Sequence, residues 1–303
     1  MELVVLSGKG GTGKTTIAVA LSELANDPIK VDCDVDAPNF YLFYKGEDIQ
    51  KEDFYGGKKA IIDKNLCTEC GLCEKYCKFD AIKNNQVNIY KCEGCGACTI
   101  VCNENAVKLI NEKSADVLMT KDSNGILSRA EMEVGSEGSG KLITVLRKNS
   151  EEYMKKELER EDRNSSLVQK FKGIFNKQTK LTIVDSSPGI GCSVMASVTG
   201  CDIALIVTEP TKSGMEDFMR VMTLCKNFEV CTLVCINKYD INEEIAKQIE
   251  TLCSQEGFKV VGKIPYDDVV MQSINELKPI TCYKESIAEK AIEDMWSNIK
   301  EFI

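Results

Sequence analysis

Five short, nearly unbroken apolar runs punctuate the chain, at residues 3–6, 29–31, 181–184, 203–207 and 233–236. Runs of this length, rich in Val, Ile and Leu and lacking polar alternation, predict β-strands buried on both faces. Glycine, proline or polar residues follow the runs, and then a stretch of helical pattern; the first helix is expected over residues 15–24. Alternating β and α elements of this kind predict an α/β fold, a mostly parallel sheet with helices on both faces. Residues 117–120 and 126–134, around Asp122-Ser123-Asn124-Gly125, predict a β-hairpin. Residues 140–147 and the highly charged 151–162 are expected to be helical, the second as a solvated surface helix.

The alternation breaks after the second apolar run, where the cysteines concentrate. Eight of the sixteen fall into two copies of one spacing, Cys67-x-x-Cys70-x-x-Cys73-x-x-x-Cys77 and Cys92-x-x-Cys95-x-x-Cys98-x-x-x-Cys102, each residue 25 positions from its counterpart. The duplication extends to Gly71 and Gly96, and to Asp80-Ala81-Ile82-Lys83 and Asn105-Ala106-Val107-Lys108. C-x2-C-x2-C-x3-C is the bacterial ferredoxin spacing, in which three thiolates cap one cubane and the fourth serves the other cluster. One [4Fe–4S] cluster is therefore expected on Cys67, Cys70, Cys73 and Cys102, and a second on Cys92, Cys95, Cys98 and Cys77. The proline that usually follows the fourth cysteine is absent from both halves, where Lys78 and Asn103 stand. The expected organisation is a nucleotide-binding domain in two parts, residues 1–60 and 113–303, with a small α+β ferredoxin domain inserted at 61–112.

Composition narrows the remaining chemistry. The chain has 303 residues, 43% hydrophobic and 28% charged, with a formal net charge of -9. These are ordinary values for a globular protein, and the acidic balance argues against a general nucleic-acid binder. There is no histidine. That excludes mixed Cys/His zinc sites, Rieske-type ligation and a histidine base, and leaves carboxylates to position water. No apolar run approaches the roughly 20 residues of a membrane span. The N-terminus runs straight into a glycine-rich loop with no room for a signal peptide, so a cytoplasmic location is expected, in which the cysteines serve as metal ligands or buried thiols.

That loop is Gly8-Lys9-Gly10-Gly11-Thr12-Gly13-Lys14-Thr15-Thr16, set between a strand and a helix. Glycines let the backbone wrap phosphates, Lys14 adds charge, and Thr15 is placed to ligate Mg²⁺. The additional Lys9 makes the motif resemble the deviant phosphate loop of MinD/ParA-type ATPases, a likeness covering the chain outside the cysteine segment. The resemblance implies ATP and Mg²⁺ as ligands, a homodimer formed on nucleotide binding, and a Lys9 that reaches across the dimer to the partner's phosphates. It matches Asp34, in Asp32-Cys33-Asp34, to the aspartate that orients the attacking water, with Asp36 in reserve. It also matches Asp185, in Asp185-Ser186-Ser187-Pro188-Gly189, to the Walker B position on Mg²⁺. Asn237-Lys238-Tyr239-Asp240 looks like the motif by which GTPases read guanine, whereas in MinD-like proteins only the asparagine faces adenine; ATP is favoured and GTP stays open. Glu209-Pro210-Thr211 and Ile264-Pro265-Tyr266 also end strands on the same side; ordinary turns are expected there, and a border to the nucleotide or the dimer face is the alternative.

The other cysteines, such as those in Cys231-Thr232-Leu233-Val234-Cys235, are expected to be buried thiols. For Cys192 packing is again the leading expectation, and a ligand to a bridging cluster is the alternative, since a cluster cysteine occupies a similar offset in the nitrogenase iron protein. The leading expectation is an ATPase whose cycle gates electron transfer through the two clusters to a partner metalloprotein. The alternatives are an iron–sulfur assembly or carrier ATPase and a MinD-like spatial organiser. The stretch 287–303 carries Glu289, Glu293, Asp294 and Glu301 on its polar side, which suits packing on the sheet better than a membrane anchor.

Overall fold

A computed structural model describes residues 1–136, 138–164 and 180–303. The chain divides into a larger unit (Met1–Lys51, Leu118–Ala130, Gly138–Ile303) and a smaller one (Glu52–Val117, Glu131–Glu137).

The apolar runs form the strands expected of them: β1 (Glu2–Leu6), β2 (Ile29–Asp32), β10 (Thr182–Asp185), β11 (Ile203–Thr208) and β12 (Cys231–Asn237). With β13 (Lys259–Ile264) they lie in the order β13-β12-β11-β1-β10-β2, all parallel. Beyond β2 the sheet continues through β9 (Gly125–Met132), parallel to β2, then β8 (Ala115–Asp122) and β3 (Glu47–Phe54).

Alternate residues of each strand serve opposite faces. Leu3, Val5, Ile183, Leu205 and Leu233 join one core with Ile17 and Leu21 of α1 (Lys14–Leu24) and with Ile292, Met295 and Ile299 of α9 (Ile287–Ile299). Val4, Leu6, Val184 and Ile206 are buried as well, and α4 (Gly140–Asn164), α5 (Cys192–Val198) and α6 (Lys212–Asn227) also pack against the parallel strands. The two helices expected at 140–147 and 151–162 are one, because neither glycine nor proline interrupts the segment between them. Helix α9 turns Ile292, Met295 and Ile299 into the core, and its buried Glu289 pairs with Lys284 at 2.5 Å. Among the described residues no helix is long and apolar enough to cross a membrane.

In the smaller unit, β4 (Gly57–Ile62) pairs antiparallel with β7 (Val107–Glu112), and β5 (Ile82–Lys83) with β6 (Gln86–Val87). Two short helices, α2 (Leu72–Tyr76) and α3 (Ala97–Ile100), each start from a glycine in the left-handed region, Gly71 at φ 71° and Gly96 at φ 80°. The internal repeat is structural: Cys67 N donates to Asp63 O and Cys92 N to Asn88 O, and the same 25-residue offset recurs in the positive φ of Asp80 and Asn105. A small core of Ala60, Ala81, Ile82 and Val107 with Cys73, Cys92 and Cys98 lies at its centre.

Candidate functional site

Phosphate-binding chemistry in open α/β sheets gathers at the carboxyl ends of the strands, where the strand order reverses. The loop after β1 lies there. Gly13 caps α1 at φ 88°, and a Cβ on it would collide with the Asn237 side chain. Gly13 thus meets two demands, a left-handed backbone and a close approach. Asn237, at the end of β12, donates from Nδ2 to Thr12 O at 2.7 Å and so ties the base-side loop to the phosphate loop.

Lys14 and Thr15 converge on one carboxylate. The Lys14 ammonium is 2.6 Å from Asp185 Oδ1, and Thr15 Oγ1 donates to Asp185 Oδ2 at 2.7 Å. Asp34 Oδ2 lies 3.8 Å from the same ammonium. Register explains the grouping: β1, β10 and β2 are neighbours, Asp185 stands opposite Val5 on one side and Asp32 on the other, and Asp34 follows two residues later. Burial raises the Asp34 carboxyl above its ordinary range, against the lowering pull of Lys14. Asp32 is fully enclosed and pushed up to about 8, first by desolvation and then by the Asp185 charge. Its Oδ1 accepts from Asp34 N at 3.2 Å, while its Oδ2 is buried without a hydrogen-bond partner among the described residues. Thus Lys14, Thr15, Asp34 and Asp185 meet around one point, and Asp32 is an added carboxyl beneath them. Asp36, the reserve candidate, accepts instead from Gly138 N at 2.7 Å.

Lys9 sits apart from that cluster. Its ammonium pairs with Glu209 Oε1 at 2.7 Å and donates to Thr211 Oγ1 at 3.2 Å and Ser213 Oγ at 3.1 Å. Glu209 Oε2 also lies 3.5 Å from Lys238 Nζ. Glu209-Pro210-Thr211 is therefore more than a turn: it holds the distinctive lysine of the phosphate loop. Tyr266 is likewise engaged, its amide donating to Asp240 Oδ1 at 2.7 Å. One oxygen of the Asp240 carboxylate, the group that reads guanine in GTPases of this motif, thus accepts a backbone amide. A contact between residues 200 positions apart leaves no local signal, although the ending of every one of these loops on a strand was visible.

The eight spaced cysteines line two hollows in the smaller unit. Cys67, Cys70, Cys73 and Cys102 border one; Cys92, Cys95, Cys98 and Cys77 border the other. Each hollow takes three cysteines from one repeat and the fourth from its counterpart. Backbone amides point at the sulfurs: Ala81 N to Cys77 Sγ and Ala106 N to Cys102 Sγ at 3.3 Å, and Ala60 N to Cys92 Sγ at 3.4 Å. Burial holds the Cys73 and Cys98 thiols above the ordinary thiol range. Among the described residues no three Cys, Asp or Glu side chains converge tightly enough for a single metal ion. A cubane attaches each cysteine to a different iron, so its ligands surround a space rather than meet at a point. An all-thiolate set around a hollow, with amides directed at sulfur, fits such a group.

The remaining cysteines divide. Cys33, Cys201, Cys225, Cys235 and Cys253 are buried, but Cys192, Cys231 and Cys282 are exposed, so the packing role expected of Cys231 and Cys192 does not hold. Cys192 opens α5 at the surface.

The CobQ/CobB/MinD/ParA nucleotide binding domain family matches the chain over residues 3–280. The uncharacterized protein MJ0578 of Methanocaldococcus jannaschii is 32% identical over 308 residues, covering 100% of this chain and 98% of that protein. An iron-sulfur cluster carrier protein of Pyrococcus furiosus is 23% identical over 314 residues, 97% of this chain and 83% of the carrier. The pyruvate synthase subunit PorD of Methanothermobacter marburgensis is 34% identical over 56 residues, 18% of this chain and 69% of the subunit. Among solved structures, the septum site-determining protein MinD of Pyrococcus horikoshii, complexed with Mg-ADP, shares the fold with a TM-score of 0.57 at 18% identity, over 99% of this chain and 96% of that one.

Proposed function

Because the chain belongs to the CobQ/CobB/MinD/ParA nucleotide-binding family and is a P-loop ATPase of the MinD/ParA type, we propose that its ATP cycle gates electron transfer through a ferredoxin-type module to a partner metalloprotein. The observation that carries this reading is the sorting of eight cysteines into two sets of four, each with one member exchanged between repeats. That exchange is what two adjacent [4Fe–4S] clusters require of this spacing. Bound there, the clusters would supply one-electron chemistry at low potential.

In the nucleotide site each residue has a distinct task. Lys14 carries the positive charge for the terminal phosphates, and the Thr15 hydroxyl with the Asp185 carboxylate would hold Mg²⁺. Asp34, half-buried and raised above the usual carboxylate range, orients the attacking water by accepting its hydrogen bond. Lys9, absent from the intramolecular phosphate cluster, serves the nucleotide of a second copy once ATP has brought two copies together. Asp34 and the Asp36–Gly138 tether lie in the loop from which the chain proceeds toward the cysteine unit, beginning at Glu52. A rearrangement of this loop at the γ-phosphate is the means by which nucleotide state reaches the cysteines.

A second reading is a carrier ATPase that hands a cluster on, favoured by the full-length likeness to the Pyrococcus furiosus carrier. A spatial organiser, the third, has the fold likeness alone in its support. Anaerobic iron counting with EPR, with and without nucleotide, separates the first two. Eight firmly held irons per chain and a nucleotide-sensitive signal support gating. Labile iron that leaves for an acceptor apoprotein on ATP addition supports a carrier.

A further inference from the structure

The 25-residue offset allows each cysteine to be compared with its own counterpart, and three of the four pairs match. Cys70 and Cys95 are exposed, and Cys73 and Cys98 are buried. Cys77 and Cys102 are both half-buried, and each accepts a backbone amide at 3.3 Å. The first pair differs. Cys92 is 7% exposed and Cys67 is only half-buried.

Strand β4 accounts for the difference. Ala60 N donates to Cys92 Sγ at 3.4 Å, and Lys59 Nζ donates to Cys92 O at 2.8 Å. Lys59 is itself steadied by Glu112 of β7, 3.4 Å away. Gly94, two residues on, lies so close to the strand that a Cβ would stand 2.1 Å from Lys58 O. Lys58, Lys59 and Ala60 thus clamp the loop that begins the second cysteine set. By the same offset their counterparts are Lys83, Asn84 and Asn85, at the turn between β5 and β6. Asn84 and Asn85 are in the left-handed region, φ 48° and 58°, and Asn84 N donates to Glu74 Oε2 at 2.9 Å. A tight turn presents no strand edge, and among the described residues no donor from it reaches the Cys67 loop. Glu69 occupies the place of Gly94 with a matching φ of 58°, and there its side chain is exposed to solvent.

We infer that the two hollows are unequal metal sites: the second repeat holds a resident cluster, the first an exchangeable one, and Lys59 is the positioning residue that sets the difference. This rests on the reading that both hollows bind [4Fe–4S] clusters. A thiolate clamped against a strand re-forms an opened bond to iron before the metal departs, whereas thiolate reactivity rises with exposure. Under electron gating, the first-repeat site is then the one presented to the partner.

The test is anaerobic removal of iron from the reconstituted, nucleotide-free full chain by excess bathophenanthroline. Aliquots are alkylated with iodoacetamide, and the modified cysteines are identified by mass spectrometry. Eight irons should leave in two phases of four, with Cys67, Cys70, Cys73 and Cys102 alkylated in the fast phase and the other set in the slow one. Lys59→Met keeps the apolar stem and removes the donor. It should speed the slow phase about fivefold, the scale of one partly exposed hydrogen bond, and leave the fast phase alone; Lys59→Arg should restore the slow rate. A merely structural role for Lys59 would speed both phases. Release of all eight irons in one phase, earlier exposure of the Cys92 set, or an unchanged slow phase in Lys59→Met overturns the inference and leaves the two-cluster reading standing. Wild-type protein that never protects one of the two sets from alkylation overturns that reading as well. If Lys59→Met does not load with iron, the order of alkylation in wild type decides: Cys67 set first supports the inference, and simultaneous or reversed order overturns it.

Discussion

Two lysines five positions apart in one loop are held in different places, and their substitutions should separate accordingly. Lys14 is buried against Asp185, so Lys14→Ala both removes the phosphate charge and leaves that carboxylate unpaired. Isothermal titration should show ATP affinity falling by at least about 100-fold, the loss of a desolvated charge pair worth about 3 kcal/mol or more. Lys9→Ala should leave the monomer's affinity near wild type while abolishing nucleotide-dependent dimers; an equal loss in both variants would assign Lys9 to its own subunit's nucleotide. Asp32 gives a pH signature. Its carboxyl, pushed up to about 8 in the fold, holds a proton that the unfolded chain, at the ordinary value near 4, has released. Between those values the native state binds more protons, so its contribution to stability is present at the acid end and is lost as pH rises toward 8. Denaturant melts of nucleotide-free, Mg²⁺-free protein should therefore fall in stability from pH 6 to 8, and Asp32→Asn should flatten that slope. An identical slope in the variant would assign it to other groups. Lys14, Thr15, Asp34 and Asp185 were legible because each lies in a short motif at a strand end. The Lys9–Glu209 contact was not, since nothing in Glu209-Pro210-Thr211 itself indicates its distant partner.

At the scale of elements, the cysteine repeats make a prediction about exchange. Cys77 follows α2 of the first repeat but borders the hollow of Cys92, Cys95 and Cys98. Cys77→Ser should therefore degrade the cluster held mainly by the second repeat, as followed by EPR on anaerobically reconstituted protein. Selective loss of the cluster at Cys67 would refute the crossed assignment. Helix α9 provides a packing control: Met295 is fully buried against the sheet, and Met295→Ala should cost about 2–4 kcal/mol in denaturant unfolding. A cost under about 1 kcal/mol would mean that the helix is not docked as described. The five strands with doubly buried faces were legible because burial on both sides forbids polar residues. Strand β3, Glu-Asp-Ile-Gln-Lys-Glu-Asp-Phe, was not: nearly every residue is exposed, so it carries no apolar pattern. The single helix α4 was divided in the sequence by a change from apolar to charged composition, which alters its surroundings without ending its hydrogen bonds.

For the whole molecule, chain order is the strongest argument that the nucleotide and the cysteines serve one function. The chain enters the smaller unit at Glu52, after the loop bearing Asp34 and Asp36, returns to the larger one over Leu118–Ala130, and is back in it again at Gly138, whose amide donates to Asp36. The family and the α/β architecture could be read from the phosphate loop and the strand runs. The partner of the cysteine unit could not, because exposed side chains such as Ile100 and Tyr90 carry no sign of what meets them. A ligand shifts an equilibrium only by binding its two states unequally, so gating requires ATP and ADP to leave different marks on the sulfur environment. The direct measurement is a redox titration of both clusters, by EPR, in the nucleotide-free, ADP-bound and ATP-analogue-bound protein. The account predicts that the potential of at least one cluster moves between the ADP and ATP-analogue states by about 60 mV or more, a tenfold change in a one-electron equilibrium, through the hydrogen bonding and solvent exposure of its sulfurs. Superimposable titrations in all three states would contradict it and leave the carrier reading in its place.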